Sequence, residues 1–354
     1  MVDSHVHLRD WEDKDKDTIK HALSVALSCG INEVFDMPNT KPPLINRDLI
    51  LDRLSDAQDA INALGNKNLT YRVYAGLTGK EEQIKEVVET YFELFPMVIG
   101  LKMFAGNSTG GMGIVKEKDQ KRVFKILVEN GYDGVLVVHC EKESLMKPKL
   151  FNTKDLSTQS IARPKEAEIE SIKDMIKIAK ETSFSGTLHI AHISCAESLD
   201  IVRKTRLENN TFDVTCGATA HHALLKQIDA NKKTYARMNP PLRTEEDRQA
   251  IFDGILDGTI DWIESDQAPH TIADKEKGAG GVPGFSGTLL LLDKLIECGA
   301  SKNRITSLVG KRVYEVFKLD SNGVSFSIGN IKKLKEKSDE AAKEYPYDAF
   351  INLR

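Results

Sequence analysis

The chain is short of cysteine, of aromatics and of long apolar runs, and each shortage removes a class of protein. Five cysteines (Cys29, Cys140, Cys195, Cys216, Cys298) are an odd number in 354 residues. They read as reduced thiols of a cytoplasmic protein rather than as a disulfide frame. No apolar run approaches the roughly 18 residues that a membrane span needs. No apolar core behind a basic flank opens the chain, so the N-terminus does not read as a secretory signal. The net charge is −4 with both signs spread along the chain, and no basic tract is interleaved with aromatics. Neither nucleic acid nor a membrane is therefore an expected partner. What remains is an ordinary globular composition, 40% hydrophobic and 29% charged. The length admits two average domains, or one large α/β barrel of roughly 250 residues plus insertions.

What is present is an alternation. Short apolar, β-branched runs recur: "MVDSHVHL", "INEVFDMPN", "LTYRVYAGL", "MVIGLKMF", "GVLVVHCE", "GTLHIAHIS", "FDVTCGA" and "IDWIESD". Amphipathic stretches such as "DTIKHALSVALSCG", "QKRVFKILVENG" and "EEDRQAIFDGILDG" lie between them, several ending in the glycine that a helix C-terminus favours. Continuous apolar runs are the mark of parallel strands buried on both faces. Eight such runs alternating with helices predict a closed (β/α)8 barrel over residues 1–319, with a polar extension over 320–354. Two Gly-rich stretches, Asn107–Gly113 and Lys275–Gly287, follow strand ends, where a barrel carries its active-site loops.

Several polar residues sit where the runs end. His5 and His7 close the first run, Lys102 lies in the fourth, His139 ends the fifth, His192 the sixth and Asp266 the eighth. A barrel gathers all these ends on one face. Period-two alternation puts His5 and His7 on one side of a strand, where both can reach one metal ion. Imidazole with carboxylate suits zinc or a similar divalent ion. Each residue also has a plainer reading. An isolated H-x-H pair is a weak signal, His139 could be a satisfied core histidine, and Asp266 could cap a helix. His189 and His192 do not share a strand face, so one of them is expected to be structural, and His192 lies nearer the strand end. His221 and His222 could cap or line the rim, and His21 falls in a helix pattern. Lys102 has two readings: a buried amine becomes nucleophilic and can form a carbamate with carbon dioxide, but the residues alone favour a lysine that snorkels to the rim.

The motifs "DSHVHLRD", "MPNT", "GLKMF", "VVHCE", "RPKEAE", "HIAH", "NPPLRTEEDRQA" and "SDQAPHT" resemble those of the dihydroorotases of the amidohydrolase superfamily, in the same order and over about residues 1–319. The resemblance implies a (β/α)8 barrel with two zinc ions at the C-terminal ends of its strands. His5, His7 and Asp266 would bind the first zinc and His139 and His192 the second. Lys102, as N6-carboxylysine, would bridge them. Arg9 and Asn39 would grip a substrate carboxylate, Asn239 and His270 would add contacts, and Pro283 and Gly284 would meet the substrate ring through their backbone. Asp266 would also carry the proton. The implied reaction is the reversible cyclisation of N-carbamoyl-L-aspartate to L-dihydroorotate in pyrimidine biosynthesis. The alternatives are another cyclic amidohydrolase (allantoinase, hydantoinase or dihydropyrimidinase) and a non-catalytic assembly subunit. Relatives that open hydantoin or allantoin lack the arginine at the place of Arg9, which favours a substrate with a ring carboxylate.

The chain departs from the pattern in places. "HLRDWEDKD" lacks the usual Pro-Gly, Gly217 stands where many members carry a carboxylate, Ala220 replaces a proline and Gln267 a histidine. The segment that usually precedes the first strand, half of a small β-sandwich, is expected to be missing, with the tail as its remnant. A homo-oligomer, for instance a dimer, is expected, and an aspartate transcarbamoylase is a candidate partner that the residues alone do not identify.

Overall fold

The computed structural model describes residues 1–354 except 67, 109, 110, 209, 210, 323 and 327–332. The expected Asn107–Gly113 loop therefore lies partly outside the described residues. Eight strands form one sheet in sequence order: β1 (Val2–Val6), β2 (Glu33–Asp36), β3 (Thr70–Gly76), β4 (Val98–Phe104), β5 (Val135–His139), β6 (Thr187–Ile190), β7 (Asp213–Ala218) and β8 (Trp262–Ile263). Every neighbouring pair is parallel. The ring closes just beyond β8, where Val6 bridges Gln267 in parallel and the His7 N–H donates to the Gln267 carbonyl at 2.8 Å. The eight apolar runs thus become eight strands of a (β/α)8 barrel.

Helices lie between the strands: α1 (Ile19–Ser28), α2 (Arg47–Leu64), α3 (Glu81–Leu94), α4 (Glu117–Glu129), α5 (Lys165–Glu181), α6 (Ala196–Glu208) and α7 (Glu245–Asp257), with α8 (Phe285–Glu297) after β8. Their ends follow local chemistry. Thr244 caps α7 by accepting from the Asp247 N–H, three acidic residues fill its first turn, and Gly258 ends it at φ 91°, a left-handed conformation that suits glycine.

Alternation along the strands sorts the side chains into two layers. Val34, Leu101, Leu136, Val138, Leu188, Ile190, Cys216 and Ile263 face the helices. Phe35, Tyr74, Val137, Trp262 and Phe317 fill the lower barrel interior, where Phe317 packs edge-on to Phe35 at 5.3 Å. Polar residues take over the same inward face near the C-terminal ends, and the site is built there.

Beyond Leu319 the described residues carry a helix, α9 (Leu334–Ala342), and a short 3-10 turn (Ile351–Leu353), with no strand among them. The segment "LKEKSDEAA" is rich in good helix formers, and its Leu334, Ser338 and Ala341 are buried at helical spacing. This tail packs on α8. The Ser338 hydroxyl donates to the Ser286 carbonyl at 2.7 Å, and Phe350 sits so close to Gly287 that a Cβ there would lie 2.1 Å from its ring.

Candidate active site

β1 delivers His5 and His7 on one alternation to the barrel mouth. Asp266, just past β8, reaches them: its Oδ1 lies 3.0 Å from His7 Nε2 and 3.6 Å from His5 Nε2. The three residues form a cluster able to hold a metal ion, with one ligand atom from each inside 4.8 Å of the others. The outer ring nitrogens are already engaged. His7 Nδ1 donates to Asn39 Oδ1 at 2.8 Å, and His5 Nδ1 to Glu264 Oε2 at 3.1 Å. Those partners fix the tautomers and leave both Nε2 lone pairs directed at Asp266. Burial acts to raise the Asp266 pKa, but the His7 hydrogen bond and the neighbouring imidazoles outweigh it and hold the carboxylate ionised. Burial, with Lys102 nearby, pushes His5 down to about 4, so its ring is a neutral ligand at neutral pH.

A second group stands alongside. His139 Nδ1 and His192 Nε2 face each other at 3.2 Å. Two nitrogens each about 2.0–2.1 Å from one tetrahedral zinc lie about 3.3 Å apart, so the spacing suits a shared cation. Glu141 Oε2 takes the other nitrogen of His139 at 2.9 Å and is itself held by the Arg163 guanidinium. The His192 and His5 rings lie 5.1 Å apart between centroids, tilted by 49°, which places the two groups side by side. His189, by contrast, lies flat on Trp262 at 4.4 Å and accepts from or donates to Thr215 at 2.9 Å. It is a packing residue, as its position on the strand implied.

Lys102 is fully buried and its Nζ has no hydrogen-bond partner. The rim-snorkelling reading therefore fails: Lys102 shares the inward face of β4 with Phe104, and its amine lies over that ring at 5.0 Å. Burial lowers its pKa to about 8. Its charge bears on His5, His139 and His192, so the orphaned amine borders both groups. An unpartnered buried amine beside two sets of ligands fits the double-metal arrangement that the resemblance implies.

A small cleft above these residues is lined by His5, His7, Arg9, Asn39, Phe104, Ser108, His139, His192, Asn239, Asp266, Ala268, Gly280 and Gly281. Arg9 enters it from a strained turn: Arg9, Asp10 and Trp11 have φ of 60°, 75° and 52°. Such conformations cost about 1–3 kcal/mol each and need external support. Asp36 supplies part of it by accepting from the Leu8 N–H at 3.0 Å, while Arg53 and Tyr71 hold Asp36 at 2.7 and 2.6 Å. Arg9 Nε donates to the Pro269 carbonyl at 3.0 Å, and its Nη2 lies 3.1 Å from His270 Nε2, which also faces the Gly280 carbonyl at 3.0 Å. Asn239 lines the cleft and accepts from Gln159 at 2.7 Å.

Among the described residues the cleft lining includes Gly280 and Gly281 but not the expected Pro283 and Gly284. The reason is Gln267, whose Oε1 already accepts the Gly284 N–H at 2.7 Å and the Phe285 N–H at 3.2 Å. The loop is pinned elsewhere too, since the Lys275 ammonium donates to the carbonyls of Arg237, Ala279 and Gly281. His221 and His222 are buried on a short helix (Ala220–Leu224), with His222 bonded to Thr219 and Pro240. Sequence reasoning missed Glu264, Glu141 and Arg163. The two carboxylates each sit two residues from an assigned ligand, on the same alternation, and that spacing was the available signal.

Fold and rim together define a (β/α)8 barrel with a His/Asp cluster able to hold a metal ion at its mouth. The solved structure of L-hydantoinase (dihydropyrimidinase) from Arthrobacter aurescens superposes with a TM-score of 0.80 at 22% identity, covering 93% of this chain and 73% of that one. Dihydroorotase from Saccharomyces cerevisiae, in complex with 5-fluoroorotic acid, gives 0.71 at 18% identity, covering 91% and 85%. At these identities the likeness is one of fold. No family model matches the chain. In sequence it is 32% identical over 295 residues to the dihydroorotase of Thermococcus kodakarensis, covering 82% of this chain and 61% of that one. It is 30% identical over 329 residues to that of Halobacterium salinarum, covering 91% and 72%. The chain belongs to the dihydroorotase family.

Proposed function

We propose that the protein is a dihydroorotase, which closes N-carbamoyl-L-aspartate to L-dihydroorotate with loss of water and catalyses the reverse. Zinc is the proposed metal, bound as a pair. His5, His7 and Asp266 would hold one ion and His139 and His192 the other, and Lys102, as the carbamate of its amine, would be a further anionic ligand between the two groups. When bound, the cations supply a nucleophilic water at neutral pH and polarise the reacting carbonyl.

The chain's own groups do the rest. Arg9 grips the ring carboxylate through parallel hydrogen bonds, with Asn39, Asn239 and His270 around it. Gly280 and Gly281 face the ring from the loop. In ring opening Asp266 accepts the proton of the attacking water and returns it to the leaving ring nitrogen; in closure it runs the transfer backwards.

The observation that carries this reading is Arg9, a buried cation in the wall of the cleft that holds the His5–His7–Asp266 cluster. A ring without a carboxylate would leave that guanidinium unpaired. The test is an assay of both directions, with and without a chelator, alongside hydantoin, dihydrouracil and allantoin. Chelator-sensitive turnover confined to the carboxylated substrate is expected. Turnover of the uncharged rings at comparable rates would point to another cyclic amidohydrolase, and a protein that purifies without zinc and turns over nothing would be an assembly subunit.

A further inference from the structure

Glu264 is the buried carboxylate on which three parts of the site converge. Its Oε2 accepts from His5 Nδ1 at 3.1 Å and lies 3.6 Å from His189 Nε2, while its Oε1 accepts the His192 backbone N–H at 2.5 Å. It does not line the cleft, and its side chain is 1% exposed. The space it fills belongs to the neighbouring strand. A Cβ on Gly217 would lie 2.1 Å from Glu264 Oε1, 2.4 Å from Cδ and 2.9 Å from Cγ.

We propose that Glu264 is a positioning residue for the metal centre, and that residue 217 is glycine because the carboxylate occupies the place of a side chain there. The inference rests on the two-metal reading above. Accepting from His5 Nδ1 fixes the tautomer that offers Nε2 to the first metal. Accepting from the His192 N–H supports a residue at φ 40°, a left-handed conformation uncommon outside glycine. That backbone turn presents the His192 ring to His139. One carboxylate just past β8 thereby orients a ligand in each of the two groups.

The variant Glu264→Gln keeps the shape and removes the function. Its amide must place an NH2 against either His5 Nδ1–H or His192 N–H, both donors. Relief requires the other His5 tautomer, which withdraws the lone pair from the metal. Zinc affinity, measured by competition with a chromophoric chelator, is expected to fall about 10–100-fold. The visible spectrum of the cobalt-substituted protein is expected to shift with it. Gly217→Ala keeps the charge but displaces the carboxylate, and a similar loss is expected. In the Glu264→Ala background, Gly217→Ala is expected to add nothing, because both changes act through one contact. Wild-type zinc binding with an unchanged Glu264→Gln affinity would overturn this proposal alone, as would additive losses in the double variant. A wild-type protein that binds no zinc would overturn the two-metal reading and this inference together.

Discussion

Asp266 shows how much one side chain is asked to do. It closes the metal-binding cluster and is the proposed carrier of the proton. Asp266→Asn retains the shape and an oxygen ligand but cannot accept the proton. Its kcat is expected to fall by about 10²–10⁴-fold while metal content, read by elemental analysis, stays above half of the wild-type value. The candidate ligands stood out jointly, as histidines and an aspartate at the ends of several apolar runs; each alone has a plainer reading, and the resemblance supplied their roles. Lys102 was not legible from its neighbours alone. An apolar strand tolerates a lysine either buried or snorkelling, and only the three-dimensional placement of its amine, buried with no partner, separates the two. Glu264 was harder still. Its role depends on a hydrogen atom in place of a side chain on the next strand, a relation between residues that are distant in sequence.

At the scale of elements, the eight strands and their helices could be read from periodicity, because both faces of each strand are buried and each helix has one buried stripe. The tail could not. It was expected as a remnant of a small β domain, and instead it packs α9 on α8 and adds single hydrogen bonds to the rim. The Tyr345 hydroxyl accepts from Gln267 Nε2 at 2.7 Å and donates to Asp17 Oδ2 at 3.0 Å, while Tyr347 donates to the Gly281 carbonyl at 3.3 Å. Gln267 in turn holds the Gly284 and Phe285 amides. The tail is thus a strut for the loop that walls the cleft. Removing one hydroxyl should loosen that wall. For Tyr345→Phe the Gln267 amide loses its partner at a cost of about 1–3 kcal/mol. The expected outcome is a lower Tm and a KM raised several-fold, with kcat changed less, in steady-state kinetics.

The whole molecule concentrates neutral imidazoles in its interior, and that sets its response to acid. Burial pushes His222 down to about 4. An unfolded histidine titrates near about 6.5. Between those values the unfolded chain binds more protons, so the stability that the neutral ring contributes is complete above about pH 6.5 and is lost as pH falls to about 4. Asp3, raised to about 7 mainly by burial, acts in the opposite sense over part of the same range. Comparison with a single variant separates the two. In the metal-free protein the urea midpoint is expected to fall between pH 6.5 and 4, and to fall less steeply in His222→Gln. Restoring zinc should raise Tm at neutral pH, by an amount that grows with free metal, and should protect against acid until the ligands themselves protonate.

The closure of the barrel through Val6 and Gln267 has a consequence in time as well as in space. Translation makes His5 and His7 well before Asp266, and the tyrosines that brace the rim later again. No ribosome-bound fragment ending before residue 266 can hold the cluster, however well its early strands have folded. Assembly of the cluster therefore waits until synthesis has passed residue 266, and a product truncated earlier would carry only its two histidines.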